Sequence, residues 1–161
     1  MNYSTSDSDL SRLHTNRGVA HELLGLHDNA LADYDEAIRL DRKNSRAHLE
    51  RGITYYIKGQ TEKAIASYSV AISLRSDYGL AYLNRGRLLT QIGKLDAAIE
   101  DFDSAIRIDP SDGPAYFWRG VAHQAKGNRD DAISDYRKAL KISPLAQEPR
   151  AALKALGVTR D

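Results

Sequence analysis

Cysteine is absent from the 161 residues, which excludes a disulfide frame, a zinc-finger thiolate set and a cysteine nucleophile. An excess of one charge is missing as well. Lys and Arg number 23 against 22 Asp and Glu, a formal charge of +1, so there is no strong field to gather nucleic acid or an anionic membrane surface. No apolar run approaches the roughly 20 residues that a membrane helix needs. The opening residues, Met1 to Asp9, have neither the basic nor the apolar region of a secretory signal. A cytoplasmic chain is the expectation. What is present, 42% hydrophobic and 28% charged residues, suits a folded domain, and a compact globule of this length would bury roughly 70% of its unfolded surface.

Glycine carries the first positive signal. Gly18, Gly52, Gly86 and Gly120 are spaced by 34 residues, and Gly25, Gly59, Gly93 and Gly127 repeat the same step. Alanines keep time at Ala30, Ala64, Ala98, Ala132 and at Ala37, Ala71, Ala105, Ala139. Aromatics hold one more slot, at Tyr34, Tyr68, Phe102 and Tyr136. A period of this size marks a repeat array, in which each unit is one supersecondary element that buries its apolar face on its neighbours. Counting from residue 11 gives units 11–44, 45–78, 79–112 and 113–146. Within each, small and apolar residues recur at three and four, which predicts two amphipathic helices separated by a glycine turn. A mid-helix glycine costs about 1 kcal/mol against alanine. Close approach of two helix backbones, with the alanines as the matching surface, is the expected compensation.

These residues resemble the tetratricopeptide repeat, whose motif places glycine, alanine and an aromatic at the spacings of Gly18, Ala30, Tyr34 and Ala37. The resemblance covers residues 11–146 without an insertion. It implies an all-α fold, a right-handed superhelix or solenoid of antiparallel helix pairs, with the first helices lining a concave groove. Two departures bear on local turns. The family's proline survives only at Pro110 and Pro144, and its turn tyrosine is replaced by His27, Thr61, Leu95 and Arg129. Residues 147–156 are expected to cap the array, with Ala152, Leu153 and Leu156 inward, Lys154 outward and Gly157 as the stop. The polar residues 1–10 are expected to be disordered.

Several constellations have competing readings. Arg17, Arg51, Arg85 and Arg119 precede the four glycines, and an aspartate follows sixteen residues later at Asp33, Asp101 and Asp135, with Ser67 in the second unit. A basic ladder is one reading; ion pairs between the two helices of a unit are the one that repetition in register favours. His14 and His48 share a slot with Tyr82 and Tyr116, and His21 and His123 share one with Tyr55 and Leu89, so the histidines read as packing substitutes. His14 and His21 lie two turns apart, unlike the one-turn pair of a helical zinc site, and no metal is expected. The acids of the stretch Asp96 to Asp109 read as a solvated helix face. There is no serine elbow, phosphate loop or metalloprotease motif, so neither an enzyme nor a cofactor is expected.

The resemblance also implies where a ligand would lie. The groove slots hold Asn16, Leu49, Glu50, Ile53, Tyr56, Leu83, Asn84, Arg87, Phe117, Trp118 and Val121. Chaperone-tail binders of the family grip a carboxylate with lysine, arginine and asparagine; of those slots here, only Asn84 fits. What remains is an apolar strip of Leu49, Ile53, Leu83, Phe117, Trp118 and Val121 edged by polar residues. Exposed apolar surface with aromatics and arginine marks an interaction site, the alternative being that some of these side chains pack between helices. The implied function is a non-catalytic module binding a protein or peptide segment with apolar anchors, Asn16 and Asn84 bonding its backbone and Arg87 meeting an acid. The alternative is a scaffold that self-associates through the same surface or the array ends. An RNA reader would need a different period and a basic stripe.

Overall fold

The computed structural model describes residues 6–158, and among them there are nine helices and no strand. Two compact units divide the chain, residues 1–77 and residues 78–161. The first unit holds α1 (Asp7–Leu23), α2 (His27–Leu40), α3 (Ser45–Ile57) and α4 (Thr61–Leu74). The second holds α5 (Gly79–Gln91), α6 (Leu95–Ile108), α7 (Gly113–Lys126), α8 (Arg129–Ile142) and α9 (Gln147–Ala155).

Each pair of helices is reversed by the same device. In α1 the Gly25 N–H donates to the carbonyl of Glu22 at 2.8 Å and the Leu26 N–H to that of His21 at 2.9 Å, which satisfies the last carbonyls of the helix. Gly25 has φ +73°, a left-handed backbone that glycine adopts without a Cβ penalty. The counterparts Gly59, Gly93 and Gly127 also have positive φ. The missing turn tyrosines leave these turns intact.

Inside each pair the mid-helix glycine faces the aromatic ring of the second helix. A Cβ built on Gly18 would come within 2.5 Å of Tyr34, on Gly52 within 2.6 Å of Tyr68, and on Gly86 and Gly120 within 2.7 Å of Phe102 and Tyr136. The glycines therefore make room for a ring, and the expected alanine-to-glycine backbone contact is replaced by this seat. All four aromatics are buried, as are the alanines of both periodic slots. Burying such a ring supplies the compensation that the glycine needs.

Ion pairs join the helices as the spacing predicts. Arg85 binds Asp101 through Nε at 2.8 Å and Nη2 at 2.7 Å, and Arg119 binds Asp135 at 2.8 and 2.6 Å in the same fork. Such paired N–H to carboxylate bonds are the strong, directional kind. Where the second unit of the repeat has Ser67 instead, Arg51 turns to Asp35 on α2, at 2.7 Å. The acids of α6 are mostly the solvated face that the sequence suggests: Asp96, Glu100 and Asp103 are exposed, with Asp103 taking Arg119 at 2.6 Å and Asp96 taking Lys126, while Asp101 is buried on Arg85.

Asp33 departs further from expectation. Arg17 Nε lies 3.0 Å from both its oxygens, while Nδ1 of His14 and of His21 bond it at 3.2 and 2.9 Å. The two histidines thus serve a buried carboxylate, and the view of them as mere aromatic substitutes is corrected. Burial pushes the Asp33 carboxyl up, but the hydrogen bonds from Arg17 and His14 and the Arg17 charge outweigh it and hold the group below the usual carboxylate range.

The disorder expected for residues 1–10 fails where it can be checked. Helix α1 begins at Asp7, because the Ser6 hydroxyl accepts from the Asp9 N–H at 3.1 Å and caps the free N-terminal turn. Residues 1–5 of that expectation lie outside the described residues. At the other end, α9 packs on α8, with Leu153 buried against Ala132 and Tyr136 and with Ala152 and Leu156 beside it.

Candidate functional site

In the first unit, the expected groove residues of α1 and α3 are largely engaged with one another. Arg46 Nη1 donates to Asn16 Oδ1 at 3.1 Å, and its Nε lies 3.6 Å from Glu50 Oε1. Glu22 accepts from Thr54 Oγ1 at 2.8 Å and from the Tyr34 hydroxyl at 3.4 Å. Burial pushes the Glu50 carboxyl up, Arg46 counters it, and the neighbouring charge of Glu22 adds to the rise. Ile53 is half-buried and Tyr56 exposed. Leu49, only 1% exposed, belongs to the core. For that residue packing, the alternative reading, is the observed one.

The second unit presents a different surface. Leu83 is buried, again packing instead of facing out, and Asn84 is half-buried. On α7, Phe117 meets Trp118 edge to face with centroids 5.4 Å apart, and leans on Tyr136 at 5.8 Å. Val121 and Phe117 both pack against the cluster of Ala132, Tyr136 and Leu153, so one side of each is structural. The Arg87 guanidinium lies 5.0 Å from the centre of the Trp118 ring. Stacking on an aromatic face suits a weakly hydrated guanidinium, and it leaves the hydrogen-bonding edge for an acid.

These side chains border a cavity of about 380 Å³, whose lining includes Arg87, Pro114, Phe117, Trp118 and, from the start of α9, Glu148 and Pro149. Of the expected residues, the structure brings Arg87, Phe117 and Trp118 together here. Pro149 and Glu148 were not foreseen, because residues 147–156 read as a cap alone. Proline is tolerated in the first turn of a helix, where Pro149 lies, so nothing in the sequence sets it apart; the structure buries it. In the same unit, Tyr136 donates its hydroxyl proton to Gln124 Oε1 at 2.7 Å, and burial, reinforced by the charge of Asp135, pushes its hydroxyl up to about 12.

No group of His, Asp and Glu with metal-binding geometry exists among the described residues, and no helix there is long and apolar enough to cross a membrane.

Family models described as tetratricopeptide repeat match residues 11–44, 33–66 and 113–146, and one described as TPR repeat matches 53–90 and 86–127. Among solved structures, MamA 41-end from Desulfovibrio magneticus RS-1 is similar with a TM-score of 0.86 at 20% identity, over 95% of this chain and 86% of that one. The TPR domain of Arabidopsis OM64 gives 0.69 at 29% identity, over 70% and 93%. The second TPR domain of human RPAP3, solved in complex with the HSP70 peptide SGPTIEEVD, gives 0.66 at 26%, over 68% and 92%. A comparison with curated proteins found no match. With helix pairs, glycine seats and family models all in the same register, the fold is the all-α TPR solenoid, and the chain belongs to the tetratricopeptide repeat family.

Proposed function

We propose that this chain is a non-catalytic adaptor that binds a peptide segment, and that the cavity beside Trp118 receives an apolar anchor of that segment while Arg87 meets an adjacent acid. The observation that carries this reading is the Arg87–Trp118 stack in the lining of a cavity of about 380 Å³. Aromatic and arginine side chains at a concave site are the residue types that dominate binding energy. Similarity to a human RPAP3 domain solved with an HSP70 peptide supports a peptide as the ligand class. The ligand itself is expected to differ from a chaperone tail, because Leu49, Ile53, Pro114 and Trp118 stand where a two-carboxylate clamp needs cations. Asn84, beside Arg87 on α5, is the candidate to bond the ligand backbone.

Selection of a displayed random-peptide library on the purified chain tests this. Peptides enriched in an apolar residue next to an acid are expected, and Trp118→Ala should weaken their binding by about 2 kcal/mol. Retention of full affinity in Trp118→Ala, read by anisotropy of a labelled selected peptide, would remove the assignment. A concentration-dependent mass in sedimentation that Trp118→Ala abolishes would instead give the cavity to a second copy, the scaffold reading.

A further inference from the structure

The repeat supplies an internal control for the outer face of α1. Residues 34 apart take the same helical position, so Leu13, Arg17, Ala20 and Leu24 correspond to Ala47, Arg51, Thr54 and Lys58 of α3 and to Ala115, Arg119, Ala122 and Lys126 of α7. In α3 and α7 this face is closed by the preceding helix. Ala47, Thr54, Ala115 and Ala122 are fully buried. Arg51 Nη1 donates to Asp35 and Lys58 to Asp28 on α2, both at 2.7 Å, while Arg119 Nη1 donates to Asp103 at 2.6 Å and Lys126 pairs with Asp96 on α6.

Among the described residues, nothing closes the same face of α1. Leu13 is 59% exposed and Leu24 73%, and Ala20 is exposed beside them. The Arg17 side chain is 62% exposed, against 21% for Arg51 and 23% for Arg119. Arg17 directs Nε and Nη2 to Asp33. Its Nη1, the atom that takes an aspartate in the two counterparts, has no partner among the described residues.

We propose that this face is a second interaction surface, separate from the cavity at Trp118, and that it takes an amphipathic helix of a partner protein carrying an aspartate for Arg17 Nη1. The geometry of the closed faces specifies the partner further. There the two acids are seven residues apart, Asp28 with Asp35 and Asp96 with Asp103, two turns on one side of a helix. Leu24 replaces the lysine that meets the first acid, so the partner presents an apolar residue seven positions before its aspartate. A second copy of this chain is the poorer occupant. Its second helices already direct Asp35 and Asp103 to Arg51 and Arg119, and a symmetric pairing through α1 brings Arg17 against Arg17.

The probe is a fluorescent, helix-stapled peptide with the sequence of residues 95–109 and the change Asp96→Leu, titrated into the full chain at low salt. Saturable binding is expected. Leu13→Glu in the protein, an exposed position whose change leaves the helical circular dichroism intact, should weaken it by roughly tenfold, as should Asp103→Asn in the peptide. Trp118→Ala should leave it unchanged, which separates this surface from the cavity. Absence of saturation, equal binding of the Asp103→Asn peptide, or loss on Trp118→Ala with none on Leu13→Glu would each overturn the proposal. So would self-association, by sedimentation, that Leu13→Glu removes.

Discussion

The two units use one slot in opposite ways. In the first, the buried Tyr34 donates to Glu22, an ionisable acceptor that also takes Thr54 and raises the carboxyl of Glu50. In the second, Tyr136 donates to Gln124, a neutral acceptor 102 residues on, three repeats by sequence arithmetic. The hydrogen bond that the scaffold needs is the same, yet its surroundings diverge. Around Glu22 and Glu50 the polar groups satisfy one another through Arg46, Asn16 and Thr54, and little is left to meet a ligand. Around the half-buried Trp118, Arg87 is stacked on a ring rather than paired with an acid. On the proposed function, binding therefore falls to the groups that the repeat leaves unpaired and not to those it carries in greatest number.

The most damaging test of that contrast is at Asp33, which gathers three donors where Asp135 gathers one arginine. Asp33→Asn should cost about 3 kcal/mol at neutral pH, measured by urea unfolding. The sign with pH is fixed by the lowered carboxyl: the contribution is present above the ordinary aspartate range and is lost as pH falls through the folded value, so variant and wild type should converge in acid. Next come the glycine seats, which the two units share. Gly18→Ala and Gly120→Ala should each cost about 2 kcal/mol, since both force a Cβ into a buried ring. Markedly unequal losses would mean that the seats are not equivalent. Smaller still, Tyr136→Phe should cost about 1 kcal/mol and Tyr34→Phe less, the bond to Gln124 being 2.7 Å and that to Glu22 3.4 Å. Last, Glu50→Gln should stabilise the chain slightly at neutral pH, by less than about 1 kcal/mol. Because burial raises its carboxyl, wild-type stability lost as pH rises through that value should be absent in the variant, a difference that thermal melts across acid to neutral pH would reveal.

The helix pairs, their turns and the arginine–aspartate forks were legible because each rests on a local rule, repeated four times for the helices and turns and three times for the forks. Gly25 and its counterparts mark turns that require positive φ, and the spacing from Arg119 to Asp135 is a fixed path across one turn. The candidate site was legible only in part. Arg87, Phe117 and Trp118 occupy expected groove slots, but Leu49 and Leu83 hold slots of the same kind and are buried. Slot position defines which way a helix faces, whereas burial depends on what the neighbouring helix brings. Pro149 was missed for the same reason, since a cap helix does not announce that its first turn also walls a cavity.

By itself the sequence determined the period, the all-α class, the turn positions and the residues available for pairing, because these depend on backbone conformation and spacing along one chain. Only the tertiary structure decided that aromatic rings and not alanines fill the glycine seats, and that two histidines join Arg17 on Asp33. It also decided that Arg87 lies over Trp118 while one edge of Arg17 has no partner among the described residues. Those outcomes depend on distances between side chains of different helices, and on the competition among several donors for one buried acceptor, which a linear pattern does not encode.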